Sequence, residues 1–276
     1  MKQGDPLVSV VLATHNRAAL LRKAAESVLN QTEKNLELFI VDDASSDETP
    51  RVIEELEKRD ARVRHVRNPF NVGRVKSANR GILEARGVYI ARIDDDDTWC
   101  DPDKIAKQAS LLESHPEYVA VSGATYRVDA GGKVLLRLHP PLEDKDIRKA
   151  MLQFNPLAQS AIIFRKAAWE QVGGYDEKLE SSVSEDWDLW MRLGKKGKFR
   201  NFSEYFAECL EAGQNLTHQK FWRNALTTLT LRFKYRNDYS NFLQGYLRGL
   251  ISLLLAFLPF HFFLRRLFWR ASNTQR

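Results

Sequence analysis

Through its first hundred residues the chain alternates short apolar runs with amphipathic stretches. Residues 7–14 (LVSVVLAT), 36–42 (LELFIVD) and 88–93 (VYIARI) are nearly continuous apolar runs, and 62–66 (RVRHV) alternates apolar with polar positions. Such runs predict strands. Between them, 18–29, 48–58 and 75–85 place apolar residues at helical spacing. Strands and helices in alternation predict βαβ units around a parallel sheet, and unbroken apolar strands predict a sheet covered on both faces. Further on, "DPDKI" predicts a helix capped by Asp101, with Pro102 in its first turn, running to about Ser114. Residues 118–124 and 158–164 predict strands, Gly131 and Gly132 a hairpin turn, and "VSEDWDLWMRLGKKG" a helix opening at Glu185, capped by Ser184 and ended by glycine.

The ends of the predicted strands carry the polar chemistry. Thr14-His15-Asn16-Arg17 follows the first, Asp42-Asp43 with Ser45 and Ser46 the second, and Asp94, Asp95, Asp96 and Asp97 the run at 88–93. Ligands of open α/β sheets sit at the carboxyl ends of the strands, so the sheet would bring these clusters together. Four adjacent carboxylates repel one another, and a divalent cation relieves that repulsion. Hard oxygen donors suit Mg²⁺ or Mn²⁺. Neither G-x-G-x-x-G nor G-x-x-x-x-G-K-[ST] follows the first strand, so the common backbone cradles for phosphates are missing and a diphosphate could instead be held through a metal. A solvated acidic turn leading into a helix is the plainer alternative. An EF-hand counted from Asp94 would need glycine at Trp99 and glutamate at Ile105, which excludes it. Asp42 and Asp43 suit a ribose or base contact, or an Asx turn with the serines. Glu185 and Asp186 suit either a helix dipole or general-base catalysis on an acceptor hydroxyl. Trp187 and Trp190, three apart, suit packing better than a sugar platform.

Charge adds a partner. The 276 residues are 43% hydrophobic with net charge +6. From Lys220 onward the tail carries +9, leaving −3 for the rest, which argues against a nucleic-acid-binding body. Residues 249–264 (GLISLLLAFLPFHFFL) are flanked by Arg248, Arg265 and Arg266, with Trp269 beyond. As a helix they reach about 24 Å, short of the ~30 Å hydrocarbon core. An interfacial or re-entrant anchor on an anionic membrane is expected, with a short spanning helix, or a helix docked on the domain or a second subunit, as alternatives. The N-terminus shows no secretory pattern, so the expected location is the cytoplasm, at the inner face of the membrane. Cys100 and Cys209 have neither disulfide nor metal spacing.

In order, "VSVVLATHNR", "LELFIVDDASSDET", "NVGRVKSANRGILEARGVYIARIDDDD", "VGGYDE" and "SEDWDLWMRL" resemble glycosyltransferase family 2, inverting enzymes of the GT-A fold, over about residues 8–216. The resemblance implies an α/β fold with a Rossmann-like, mostly parallel central sheet flanked by helices. A GT-A domain over 1–219 would divide into a nucleotide half (about 7–101) and an acceptor half (about 102–219), followed by a helical membrane-associating tail over 220–276. It implies a UDP-, GDP- or dTDP-sugar donor and a saccharide or lipid-linked acceptor. Ala13, His15, Asn16 and Asp43 would contact the nucleotide. Asp94 and Asp96 match the family's D-x-D pair, Asp96 with Asp97 would approach the metal, and Asp186 matches the catalytic base of a single displacement. Residues 173–176 would line the sugar or acceptor side. His15 stands where tyrosine is common, and Leu210 where an arginine often follows an aromatic residue in the stretch 209–217. Arg74 and Lys76 are then the candidate diphosphate cations, or ordinary solvated helix charges. A nucleotidyltransferase usually carries a glycine-rich basic loop that LATHNRAA lacks, and intact acidic clusters argue against a non-catalytic binding protein. The stretch 128–159 is expected to shape the pocket.

Overall fold

The computed structural model describes residues 7–180, 182, 184–211 and 221–255. The chain opens β1 (Val8–Thr14), α1 (Ala18–Leu29), β2 (Leu36–Asp42), α2 (Thr49–Arg59), β3 (Val63–Arg67), α3 (Arg74–Glu84) and β4 (Tyr89–Arg92), within a residue of the hydrophobic pattern. β2, β1 and β4 pair in parallel, with β3 outside β2. α3 returns the chain past β1 to β4, so the strand order reverses between β1 and β4. A crevice opens at such a switch point.

Beyond β4 the sheet becomes mixed. β5 (Thr98–Trp99), α4 (Lys104–Ser114), β6 (Tyr118–Val128), β7 (Val134–Leu138), α5 (Asp144–Ala150), β8 (Ile163–Arg165), α6 (Lys166–Gln171), α7 (Glu185–Leu193) and β9 (Lys198–Leu210) complete the sheet and its cover. Its order is β3-β2-β1-β4-β8-β6-β9-β5, with β7 on β6. β6 and β9 run parallel over their length, while β4–β8, β6–β8, β6–β7 and β5–β9 are antiparallel. Alternation along each strand divides the core between two faces. Val10, Leu12, Leu38 and Ile40 pack under α1, α2 and α4; Val11, Phe39 and Val41 pack against α3 and α7. Trp187 and Trp190 are buried in that second face, as their spacing suggested.

Three local expectations are corrected. α4 begins after Asp103 rather than Asp101, because the Asp101 carboxylate accepts the Asp103 N–H at 2.8 Å and closes a turn through Pro102. Gln31 Oε1 instead accepts the Ile105 N–H at 3.0 Å. Ser184 makes no side-chain cap to α7. The expected strand at 158–164 is a 3-10 turn, Gln159–Ala161, before the short β8. Ser160 there donates to Asp97 and its carbonyl accepts from Trp99 Nε1, so both groups face the acidic turn rather than a ladder.

Two more helices, α8 (Phe221–Lys234) and α9 (Phe242–Leu255), follow. They dock on the domain. Buried Asp188 of α7 accepts from Lys234 Nζ (2.9 Å) and Tyr235 Oη (2.8 Å), and Tyr239 Oη donates to the Met191 carbonyl. Arg232 donates to the Leu152 carbonyl at 2.9 Å with its guanidinium over Trp187. The tail is thus tied to the domain through Arg232, Lys234, Tyr235 and Tyr239, upstream of the run expected to form the anchor. The remainder of the 249–264 run lies outside the described residues. Among those described, no helix is long and apolar enough to cross a membrane.

Candidate active site

A cleft of about 1810 Å³ opens at the carboxyl ends of β1 and β4 and runs toward α5, α7 and α9. Ala13, His15, Asp43, Arg74 and Asp94 line it, as do Asp96, Asp97 and Asp186. Of the stretch 128–159 expected to shape the pocket, the part from Leu138 onward contributes to the lining and residues 128–137 do not.

The four aspartates form a tight turn in which the Asp97 N–H bonds the Asp94 carbonyl at 3.1 Å. The turn sends their side chains in different directions. Asp95 accepts from Thr14 Oγ1 (2.7 Å) and Arg17 Nη1 (2.9 Å). Asp97 accepts from Ser160 Oγ and from the Leu210 N–H (3.0 Å). Asp94 and Asp96 remain more open, with side chains 44% and 20% exposed. Asp94 is touched by Gln159 Nε2 (3.1 Å) and Asp96 by Arg17 Nη1 (2.7 Å). Burial, opposed by Arg17 and Thr14, pushes Asp95 up to about 6. Burial and then the charges of Asp94 and Asp96 push Asp97 up to about 7. Of the expected metal pair, Asp96 therefore faces the cleft, while both oxygens of Asp97 are already engaged inward.

The β1 and β2 loops are built to hold each other. Asn16 and Ala44 adopt positive φ (55° and 60°), a conformation that costs free energy and needs support. Asn16 Oδ1 accepts the Ser46 and Asp47 N–H groups, and Asn16 is absent from the cleft lining. Asn16 clamps the β1 and β2 loops together. His15 Nδ1 lies 2.7 Å from the Asp43 carbonyl, which can only accept, so Nδ1 carries the proton and Nε2 accepts from Asn16. Asp43 Oδ1 accepts from Asn68 and Val72, and Oδ2 from the Gly73 N–H at 2.8 Å. Asp43 thus fixes the loop into α3 from the cleft wall.

Glu180 accepts the first two N–H groups of α3, from Arg74 and Val75, each at 2.8 Å. Gly73 sits at φ 96°, and a Cβ there would meet the Glu180 carboxylate. Arg74 itself reaches across the cleft to α7. It forms a two-pronged pair with Glu185 and donates to the Ser182 carbonyl. Its guanidinium is thus committed to a buried acid at the cleft wall. Lys76 is exposed and outside the cleft, since its position on α3 turns away from the sheet.

The next residue of α7, Asp186, faces the cleft. Its Oδ2 accepts from Asn155 Nδ2 at 2.8 Å and its Oδ1 from the Trp187 N–H at 2.7 Å. Burial first, then the charge of Glu185, pushes its carboxyl up to about 8. A carboxylate with so raised a pKa is a stronger base than an ordinary aspartate. Arg17, Asn155 and Ser160 were not singled out as site residues. Arg17 had a signal, its place after the first strand; Asn155 and Ser160 carried none beyond falling in or beside the stretch expected to shape the pocket.

A family model for Glycosyl transferase family 2 matches residues 9–173. The chain belongs to glycosyltransferase family 2. This glycosyltransferase is 32% identical over 199 residues to the putative glycosyltransferase EpsE of Bacillus subtilis (strain 168), spanning 72% of the chain and 70% of EpsE. It is 31% identical over 197 residues to the UDP-Glc:alpha-D-GlcNAc-diphosphoundecaprenol beta-1,3-glucosyltransferase WfaP of Escherichia coli, spanning 71% of the chain and 73% of WfaP. Its fold is that of the mannosyltransferase PcManGT of Pyrobaculum calidifontis, solved with GDP-Man and Mn²⁺, with TM-score 0.63, 17% identity, and coverage of 98% of this chain and 81% of that one. The fold is thus the expected GT-A arrangement flanked by helices, with a sheet that is mixed rather than mostly parallel because β5, β7 and β8 pair antiparallel.

Proposed function

We propose that this glycosyltransferase moves a sugar from a nucleoside-diphosphate-sugar donor to a saccharide or lipid-linked acceptor, with inversion at the anomeric carbon, in assembly of a cell-envelope polysaccharide or glycan. The observation that carries the proposal is one cleft flanked by the acidic 94–97 turn and by Asp186. The Ala13–His15 loop and the Asp43 wall take the nucleotide. WfaP, by its name, forms a β linkage from UDP-Glc on a diphospholipid-linked sugar. UDP-Glc is an α-linked donor, so that reaction inverts, and its acceptor class suits a protein working at a membrane.

A divalent cation fits the site by the chemistry of its donors: Asp96 and Asp94 offer hard carboxylate oxygens, and burial raises the Asp96 pKa, with Asp94 adding to it. Among the described residues no three acidic, His or Cys side chains form a closed metal cage. Mn²⁺ or Mg²⁺ bound through one or two carboxylates plus substrate phosphates does not need one. Bound there, the ion neutralises charge on the leaving diphosphate. Asp186 accepts the proton of the acceptor hydroxyl as that oxygen attacks the anomeric carbon opposite the diphosphate. Asn155 holds the Asp186 carboxylate in place, and Arg74 compensates Glu185 beside it.

The test is Asp186→Asn assayed with a panel of nucleotide sugars and Mn²⁺. Transfer should fall by about 10²–10⁴-fold, the range general-base catalysis contributes, while nucleoside-diphosphate affinity stays. Near-normal turnover in the variant refutes the base assignment.

A further inference from the structure

We infer that Arg127, on β6, grips the diphosphate of the donor and stabilises it as it leaves. The assignment rests on the glycosyl-transfer function proposed above and adds a residue to it.

The argument begins with charge. A nucleoside diphosphate leaves with about three negative charges, and one divalent ion neutralises two of them. The rim beside it is itself acidic, so a further cation is required. Most cationic side chains of the cleft are already committed. Arg17 pairs with Asp95 and Asp96, and Arg74 with Glu185. Arg92 donates to the Val11 carbonyl and lies 3.7 Å from Asp94. Arg127 lines the same cleft, and among the described residues its guanidinium has no hydrogen bond or ion pair. Arg248 also lacks one, but it stands on α9, on a different wall of the cleft.

Strand geometry puts Arg127 beside the leaving group. Gly123, Thr125 and Arg127 occupy alternate positions of β6, and all three line the cleft. In the parallel β6–β9 ladder, Arg127 pairs with Cys209 and Val128 with Leu210. The Leu210 N–H in turn holds Asp97 at 3.0 Å. Arg127 therefore stands one strand over from Leu210, next to the anchor of the acidic turn, and the charges of Asp97, Glu211 and Asp94 reach it. A guanidinium there can meet phosphate oxygens with two parallel N–H bonds. β9 offers no cation at Leu210, and Arg127 supplies one from the neighbouring strand.

The test measures UDP, GDP and dTDP binding by calorimetry with Mn²⁺, alongside the matching monophosphates, for the wild type, Arg127→Leu, Arg127→Lys and Arg127→Leu/Leu210→Arg. Arg127→Leu should weaken the diphosphate by about 10- to 100-fold, as loss of a charge-assisted contact does, and the monophosphate far less. Arg127→Lys should retain part of the affinity, and moving the arginine to position 210 should restore much of it. Thermal melting checks that each variant folds; a purely structural Arg127 would lower the melting point and spare the difference between di- and monophosphate. Diphosphate affinity unchanged in Arg127→Leu overturns the assignment alone. A wild type that binds no nucleoside diphosphate overturns it together with the glycosyl-transfer function.

Discussion

Arg74→Ala separates a structural arginine from a substrate-binding one. Arg74 crosses from α3 to α7, where its two terminal nitrogens meet the two oxygens of Glu185, one at 2.7 Å. The Glu185 side chain is 5% exposed and that of Arg74 33%. Burial pushes the Glu185 carboxyl up, and Arg74 pulls it back toward ionisation. Truncating Arg74 strands that acid. Breaking a buried ion pair from one side costs about 3–5 kcal/mol, and water reaching the half-open Arg74 places this pair near the lower end, about 3 kcal/mol. For a chain of this size that is roughly a 6–12 °C loss in melting temperature. Adding Glu185→Gln removes the stranded charge, so the double variant should regain about 2 kcal/mol, a non-additivity expected of contacting residues. Asp186 lies on the same helical turn, so its displacement should lower kcat by roughly 10²-fold. Thermal unfolding of the four proteins of the cycle, calorimetry with a nucleoside diphosphate, and kcat form the assay. Nucleotide affinity should stay within about threefold, since this arginine is occupied by protein. An unchanged melting temperature together with lost diphosphate affinity would refute the reasoning and return Arg74 to the substrate.

Asp186 must be ionised to take a proton, and burial with Glu185's charge raises it to about 8, so kcat/KM should rise with pH through about 8 and level above it. Asn155→Leu removes a donor that favours the carboxylate and should move that limb higher; a flat profile from about pH 6 to 9 contradicts the assignment. The outer face of α9 exposes Leu243, Leu247, Ile251 and Leu254 in one stripe, so the full chain should co-sediment with anionic lipid vesicles more than with neutral ones, and Leu247→Glu/Ile251→Glu should reduce this. Equal sedimentation with and without vesicles removes the membrane partner.

The amino-acid order alone determined the first half of the fold. Near-continuous apolar strands and amphipathic helices of 11 or 12 residues leave few ways to bury both sheet faces, so the elements from β1 to β4 matched their predicted places. The ordered motifs also placed Asp43, Asp94, Asp96 and Asp186 in one family and, through strand ends, on one cleft. Local pattern could not decide where each side chain points. Asp94 and Asp97 are neighbours in a turn, yet one opens to the cleft and the other turns inward to Ser160 and Leu210, a partner set 63 and 113 residues away in sequence. Asn16 and Arg74 looked like ligand contacts because their types and positions suit anions and bases. Tertiary packing instead gave Arg74 a buried acid, which would cost more to leave unpaired than a contact with a transient ligand returns, and set exposed Asn16 against the N–H groups of the facing loop. Arg127 shows the converse. Nothing in "TYRVDAGG" marks a phosphate ligand, and only the pairing of β6 with β9 sets that arginine beside the acidic turn, where long-range strand register decides and local composition is silent.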